Sequence, residues 1–235
     1  MKLIISILTL CTLCFGTDYT IEIHGDGNYT RGDQEAAEET AYQLEREMQT
    51  LQGIAYHSNT SIKAIIKIAS KNLRRRGHFT TANEIERGWD RFDGKLIKLA
   101  QNQGDVANRN IGDFEPLVQW LSDAYEKIES KLGYQLCVAL RLSDLKTINH
   151  GLVVVFRPCK YGYDEFYKHF ATNDPKYRSL LPVVSYWSTV IGCSIGTYGI
   201  GYFFICSPAG MLVEFVVDKK VAPWLAPKIY NSVCN

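Results

Sequence analysis

The chain has little excess charge of either sign, because 26 lysines and arginines are balanced by 25 aspartates and glutamates. A net charge of +1 gives no overall attraction to a polyanion, so the sequence does not predict a nucleic-acid-binding protein. The 235 residues contain only seven cysteines, about 3%, well below the roughly 8% of a small disulfide scaffold. The chain therefore has to fold around a hydrophobic core.

The sequence also lacks the spacings that identify common active sites. It has no Walker loop, no HExxH, no nucleophile elbow and no paired CxxC. We therefore expect no metal and no cofactor, and we favour a non-enzymatic protein. The alternative is a secreted soluble enzyme in which Cys159 is the nucleophile and His150 or His169 is the base.

The first 16 residues have the three parts of a secretory signal peptide. One cation, Lys2, precedes an apolar run over residues 3–13, and a small residue, Gly16, follows. The run is too short to cross a hydrocarbon core of about 30 Å comfortably. We expect export, with the mature chain secreted or located in the periplasm or cell envelope.

Cysteine placement divides the mature chain. Removing residues 1–16 leaves five cysteines, all in the C-terminal half. They are Cys137, Cys159, Cys193, Cys206 and Cys234. In an oxidising compartment they predict up to two disulfides within 137–234 and one unpaired thiol, with the pairing open. A secreted, disulfide-stabilised binding module is a further alternative.

Apolar periodicity predicts helices in the first half. After an acidic lead over 17–32, four stripes of apolar residues at steps of three and four fill residues 33–133. The second stripe, for example, contains Ile62, Ile65, Ile66 and Leu73. Such stripes are typical of helices that pack side by side in an antiparallel bundle.

One predicted helix is strongly basic. Residues 48–83 contain no acid and six cations, which are Lys63, Lys67, Lys71, Arg74, Arg75 and Arg76. Two interpretations fit. The lysines could pair with Glu38 and Glu45 of the preceding acidic helix, as surface charges often do. Alternatively, the six cations form a face for anionic lipid or polysaccharide.

The second half, 134–235, contains a long uncharged block. No charged residue occurs between Ser179 and Val213. Residues 181–206 are rich in glycine and aromatic residues, and two structures fit them: a membrane-inserted segment, or two or three buried strands. The spacing of Ser188, Gly192 and Gly196 by four favours close helix packing in a membrane and possible self-association.

The β-branched run at residues 153–156 predicts a buried strand. The sequence therefore predicts an α+β, mainly helical chain, with the bundle at 33–133 followed by a cysteine-containing apolar module at 134–235. The favoured function is that of an exported, non-enzymatic protein. We expect it to contact or enter a membrane through the glycine-rich segment.

Overall fold

The computed structural model describes residues 31–101, 114–172, 178–196 and 206–234. The predicted signal peptide and almost all of the acidic lead lie outside these residues. The helices are α1 (Arg31–Met48), α2 (Leu51–Arg75), α3 (Phe79–Asp90), α4 (Lys95–Gln101), α5 (Phe114–Leu132), α6 (Tyr134–Ala139), α7 (Asp144–Val155), α8 (Pro158–Tyr161), α9 (Tyr163–Ala171), α10 (Leu180–Gly196), α11 (Ser207–Val216) and α12 (Ala222–Cys234). A π-helical turn, Val217–Val221, joins α11 to α12.

The predicted strands are wrong, and the α+β class with them. Of the described residues, 89% are helical and none forms a β-strand. The run at 153–156 belongs to the end of α7, where Val154, Val155 and Phe156 are buried. Burial among other helices therefore outweighs the strand preference of β-branched residues, which is at most about 1 kcal/mol each. The described part of the glycine-rich segment, residues 181–196 and 206, forms α10 and the residue that precedes α11.

Helix α2 shows how the sequence fixes its own ends. The Thr50 hydroxyl accepts a hydrogen bond from the Gly53 amide at 3.3 Å and caps the first turn. At the other end Gly77 has φ +82°. The His78 amide donates to the Leu73 carbonyl at 2.9 Å, and the Gly77 amide donates to that of Arg74 at 3.0 Å. This Schellman motif stops the helix directly after its basic end.

Helix α10 lies at the centre of the molecule. It packs against α2, α7 and α11, and its buried side chains include Tyr186 and Trp187. Gly210 of α11 lets that helix approach closely, because a Cβ there would lie 2.8 Å from the Tyr186 ring and from Val190. Residues from both predicted segments thus share one hydrophobic core. No described helix is both long enough and apolar enough to cross a membrane.

The prediction of two disulfides is confirmed. Cys159 pairs with Cys234 and joins α8 to the end of α12, and Cys193 pairs with Cys206 and joins α10 to α11. Cys137 is buried and unpaired, and burial raises the pKa of its thiol to about 11. Both bridges lie within 137–234, and they fit an extracellular protein.

Candidate functional site

The three residues of the predicted enzyme do not assemble a thiol site. Cys159 is bonded to Cys234 and carries no thiol. His150 and His169 lie edge to face with ring centres 5.9 Å apart, and His169 Nε2 lies 3.2 Å from the Glu165 carboxylate. Burial, followed by the charge of His169, lowers the pKa of His150. The histidine pair therefore joins α7 to α9 without a cysteine nucleophile.

The predicted packing residues Ser188, Gly192 and Gly196 all lie on α10. Ser188 is half-buried, and its hydroxyl lies 2.8 Å from Nδ1 of His57 on α2. Gly192 is also half-buried. Gly151 on α7 and Gly210 on α11 are among the described glycines at tight helix contacts.

The six predicted surface cations fall into two groups. Lys63 forms an ion pair with Asp93 at 2.7 Å, and Arg74 Nη1 donates to Glu86 at 2.7 Å. Hydrogen bonding to Arg74 lowers the pKa of Glu86. The other four cations, Lys67, Lys71, Arg75 and Arg76, are exposed, and we call them the basic end of α2.

The expected pairing of Glu38 and Glu45 with the lysines of α2 is wrong. Glu38 instead contacts Lys220, next to α12, and this hydrogen bond lowers the pKa of Glu38. Burial raises the pKa of Glu45, and the nearby charge of Lys228 opposes the rise. Helix α1 thus directs these two acids toward the C-terminal lysines, because it packs on α11 as well as on α2.

Exposed apolar side chains accompany the basic end. Tyr134 is 67% exposed, Phe79 is 59% exposed and Val138 is 45% exposed. Arg76 and Tyr134 line the same shallow groove of about 560 Å³, together with apolar residues of α5 and α6. Phe79 follows Arg76 by three residues, directly after the glycine turn. Cations and apolar groups therefore share one end of the molecule.

A buried charge cluster, which sequence reasoning missed, joins α7, α10 and α11. Its members are Arg141, Asp144 and Glu214, which are largely buried, and Arg178, whose side chain is 40% exposed. Arg141 binds Glu214 through two hydrogen bonds, at 2.8 and 3.0 Å, and donates from Nε to Asp144 at 3.0 Å. Arg178 contacts both acids, and Trp187 Nε1 donates to Asp144 at 2.9 Å. Two positive and two negative groups thus neutralise each other.

The cluster is held rigidly. Asp144 is 1% exposed, and burial raises its pKa to about 6 despite the nearby Arg141 charge. The Arg141 guanidinium stacks 3.5 Å from the Tyr186 ring centre, and Arg141 has φ +56°, an unusual backbone angle for a residue with a side chain. One sequence feature indicated the cluster: Arg178 and Glu214 are the charged residues directly before and directly after the uncharged block.

The structure thus offers two charged regions of different kinds, one buried and neutral and one exposed and basic. No protein-family model, no curated protein and no solved structure matches the chain.

Proposed function

We propose that this protein docks on anionic membrane surfaces through the basic end of α2. The observation that carries the proposal is the basic end itself, whose four exposed cations form no ion pair within the described part of the chain. Lys63 and Arg74 on the same helix are paired with acids, whereas these four cations are available to an external anion. The two disulfides support an extracellular setting for this contact.

The exposed apolar side chains decide between a membrane and a soluble polyanion. A lysine or arginine near an anionic bilayer contributes about 1 kcal/mol, so four give roughly millimolar binding. Insertion of Phe79, Tyr134 and Val138 into the interface adds the apolar free energy needed for tighter binding. A sulfated polysaccharide offers no apolar layer for these side chains. A lipid surface is therefore the better match.

This proposal moves the membrane contact away from the segment that the sequence favoured. The described part of that segment, α10, is buried against α2, α7 and α11 from Leu181 to Trp187. Its apolar side chains are occupied by the protein's own core. The basic end, in contrast, presents both kinds of group that a lipid surface binds.

Vesicle co-sedimentation tests the proposal. Wild-type protein should bind vesicles containing 30% phosphatidylserine and should not bind vesicles of phosphatidylcholine alone. Lys71→Ala/Arg75→Ala should weaken binding about 30-fold, since two cations contribute about 2 kcal/mol. Alanine suits an exposed helical position, so the fold should persist. The matched control is Lys160→Ala/Lys219→Ala, which removes the same charge from exposed positions elsewhere and should bind normally.

A second pair of variants separates lipid from polysaccharide. Phe79→Ala/Tyr134→Ala should weaken vesicle binding while leaving any retention on a heparin column unchanged. If Lys71→Ala/Arg75→Ala and the control Lys160→Ala/Lys219→Ala weakened vesicle binding equally, binding would depend on net charge alone, and this would contradict the proposal. Binding to heparin without binding to vesicles would also contradict it.

A further inference from the structure

Three side chains from three helices form a continuous hydrogen-bonded chain. Glu47 Oε2 lies 2.8 Å from Nε2 of His57, and His57 Nδ1 lies 2.8 Å from the Ser188 hydroxyl. Glu47 comes from the end of α1, His57 from the second turn of α2 and Ser188 from the middle of α10. We call this arrangement the Glu47–His57–Ser188 relay. A carboxylate, an imidazole and a hydroxyl in this order are the parts of an activated serine nucleophile.

The corner between α1 and α2 positions the acid. Gly53 lies against the end of α1, where a Cβ would come within 1.7 Å of the Glu47 carbonyl oxygen. Only glycine allows α2 to begin so close to α1. Glu47 is therefore held next to His57, one helical turn beyond Gly53. The packing of α10 on α2 then places Ser188 on the other side of the imidazole.

The carboxylate fixes the tautomer. A carboxylate only accepts hydrogen bonds, so Nε2 of His57 donates to Glu47, and the lone pair of Nδ1 accepts the Ser188 O–H. Burial lowers the pKa of His57, while the contact with Glu47 opposes the shift. The neutral imidazole that a general base requires is thus the favoured form at neutral pH.

The relay is reachable from outside. Ser188 is half-buried and Glu47 is exposed, whereas His57 is 8% exposed. Tyr56 is 54% exposed, and its ring meets the His57 ring edge to face at 5.3 Å. Ser188 and Glu47 are therefore partly accessible to solvent, and Tyr56 is exposed beside them, while the imidazole is shielded from water.

We infer that Ser188 is a nucleophile for acyl transfer from small carboxylic esters, with His57 as its base. The Ser188 oxygen bonds to the ester carbonyl carbon as its proton moves to Nδ1 of His57. The bond to the alcohol oxygen then breaks, and the alcohol leaves with the proton from His57. Water attacks the acyl-serine in the same way and releases the acid, which regenerates Ser188. Glu47 is a positioning residue that orients the imidazole.

This site is separate from the basic end. Residue 57 lies 10 positions from Lys67, the nearest cation of the basic end, and 18 positions from Arg75, which is about 15 Å and about 27 Å along α2. Loss of one site should leave the other intact.

The test uses the oxidised, folded chain and a fluorophosphonate probe, which bonds to activated serines. Mass spectrometry should place the label on Ser188. The labelling rate should fall at least about 100-fold in His57→Gln, the size of a general-base contribution. Hydrolysis of p-nitrophenyl acetate should fall in parallel. Ser232→Ala changes a serine whose hydroxyl donates only to the Ile229 carbonyl, and it should leave labelling unchanged.

Glu47→Gln tests the positioning role by the pH profile. The glutamine keeps a polar group beside Nε2 but removes the negative charge, so labelling should slow and its pH midpoint should move. Circular dichroism checks that each variant is folded, and the site of labelling in the wild type does not depend on any variant. Absence of label on Ser188, or a labelling rate unchanged in folded His57→Gln, would overturn the inference.

Discussion

The buried charge cluster and the basic end of α2 both contain two arginines, but the arginines of the cluster are paired with acids and, among the described residues, those of the basic end are not. In the cluster, Arg141 faces Asp144 and Glu214 where α7, α10 and α11 pack together, and the partly exposed Arg178 contacts the same two acids. At the basic end, Lys67, Lys71, Arg75 and Arg76 point away from the core. Charges in the first region bind each other, whereas those in the second are open to solvent.

The charges of the cluster contribute to folding, whereas those of the basic end are available for binding. Removing one partner from a buried pair leaves an uncompensated charge, which costs about 3–5 kcal/mol. Removing an exposed cation changes stability by less than about 0.5 kcal/mol. Stability measurements on matched variants can therefore test whether the two regions differ in this way.

The largest expected effect is at the buried cluster. Asp144→Ala removes one of the two acids that neutralise Arg141 and Arg178. It also removes the hydrogen-bond acceptor of Trp187 Nε1. We expect the free energy of unfolding at pH 7, measured in urea, to fall by about 3–5 kcal/mol. Glu86→Ala is the control, since it removes an acid from the surface pair with Arg74 and should cost less than about 1 kcal/mol. Equal losses of unfolding free energy in the two variants would show that the cluster stabilises the fold no more than a surface pair does.

The disulfides come next, because both stabilise the half that contains the cluster. Cys159→Ala/Cys234→Ala opens a link across 75 residues, and Cys193→Ala/Cys206→Ala opens one across 13. Loop-closure entropy predicts losses of about 4.5 and about 3 kcal/mol respectively. Thermal unfolding of the two variants under oxidising conditions measures the difference. A larger loss for the short link would show that chain entropy does not govern these bridges.

The pH dependence of His57 gives a smaller effect, from a buried titratable group whose imidazole contacts the exposed acid Glu47. Its pKa in the folded protein is below 6.5, whereas an unfolded histidine takes up a proton near 6.5. Below that pH the unfolded chain binds more protons, so stability falls as pH falls. One group contributes at most about 1.4 kcal/mol per pH unit. The difference between wild type and His57→Gln, measured from pH 7 to 5, isolates this slope.

The smallest expected effect is at the basic end. Lys71→Ala/Arg75→Ala should leave the unfolding free energy within about 0.5 kcal/mol of wild type while weakening vesicle binding. A loss above about 1 kcal/mol would show that these cations act within the fold. Charges in both regions would then contribute to the stability of the fold.

Periodicity predicted much of the helical first half. The apolar residues of the second stripe, from Ile62 to Leu73, are buried on α2, and those of the fourth, from Leu117 to Leu132, are buried on α5. The third stripe, which runs from Ala82 to Leu99, predicted one helix, but the chain turns at Gly94, which has φ +78°, and forms α3 and α4. A stripe reports which face is buried and does not detect a turn that keeps the same face buried.

The sequence was less informative about the second half. Glycine and β-branched residues predicted strands or a membrane segment there, because local preference was the only available signal. Gly151 and Gly210 in fact allow close helix contacts, with Leu180 and with the Tyr186 ring. Which partner a glycine contacts is a property of the packed structure, and a single sequence does not contain it.

The sequence by itself determined the helical stripes, the five cysteines of the second half and the basic end of α2, since each depends on residues close together in the chain. Tertiary structure alone decided that Arg141 binds Glu214, 73 positions away, and that His57 meets Ser188, 131 positions away. Such contacts follow from how three helices pack. Packing is set by the shapes of many side chains together, and no short spacing in the sequence encodes it.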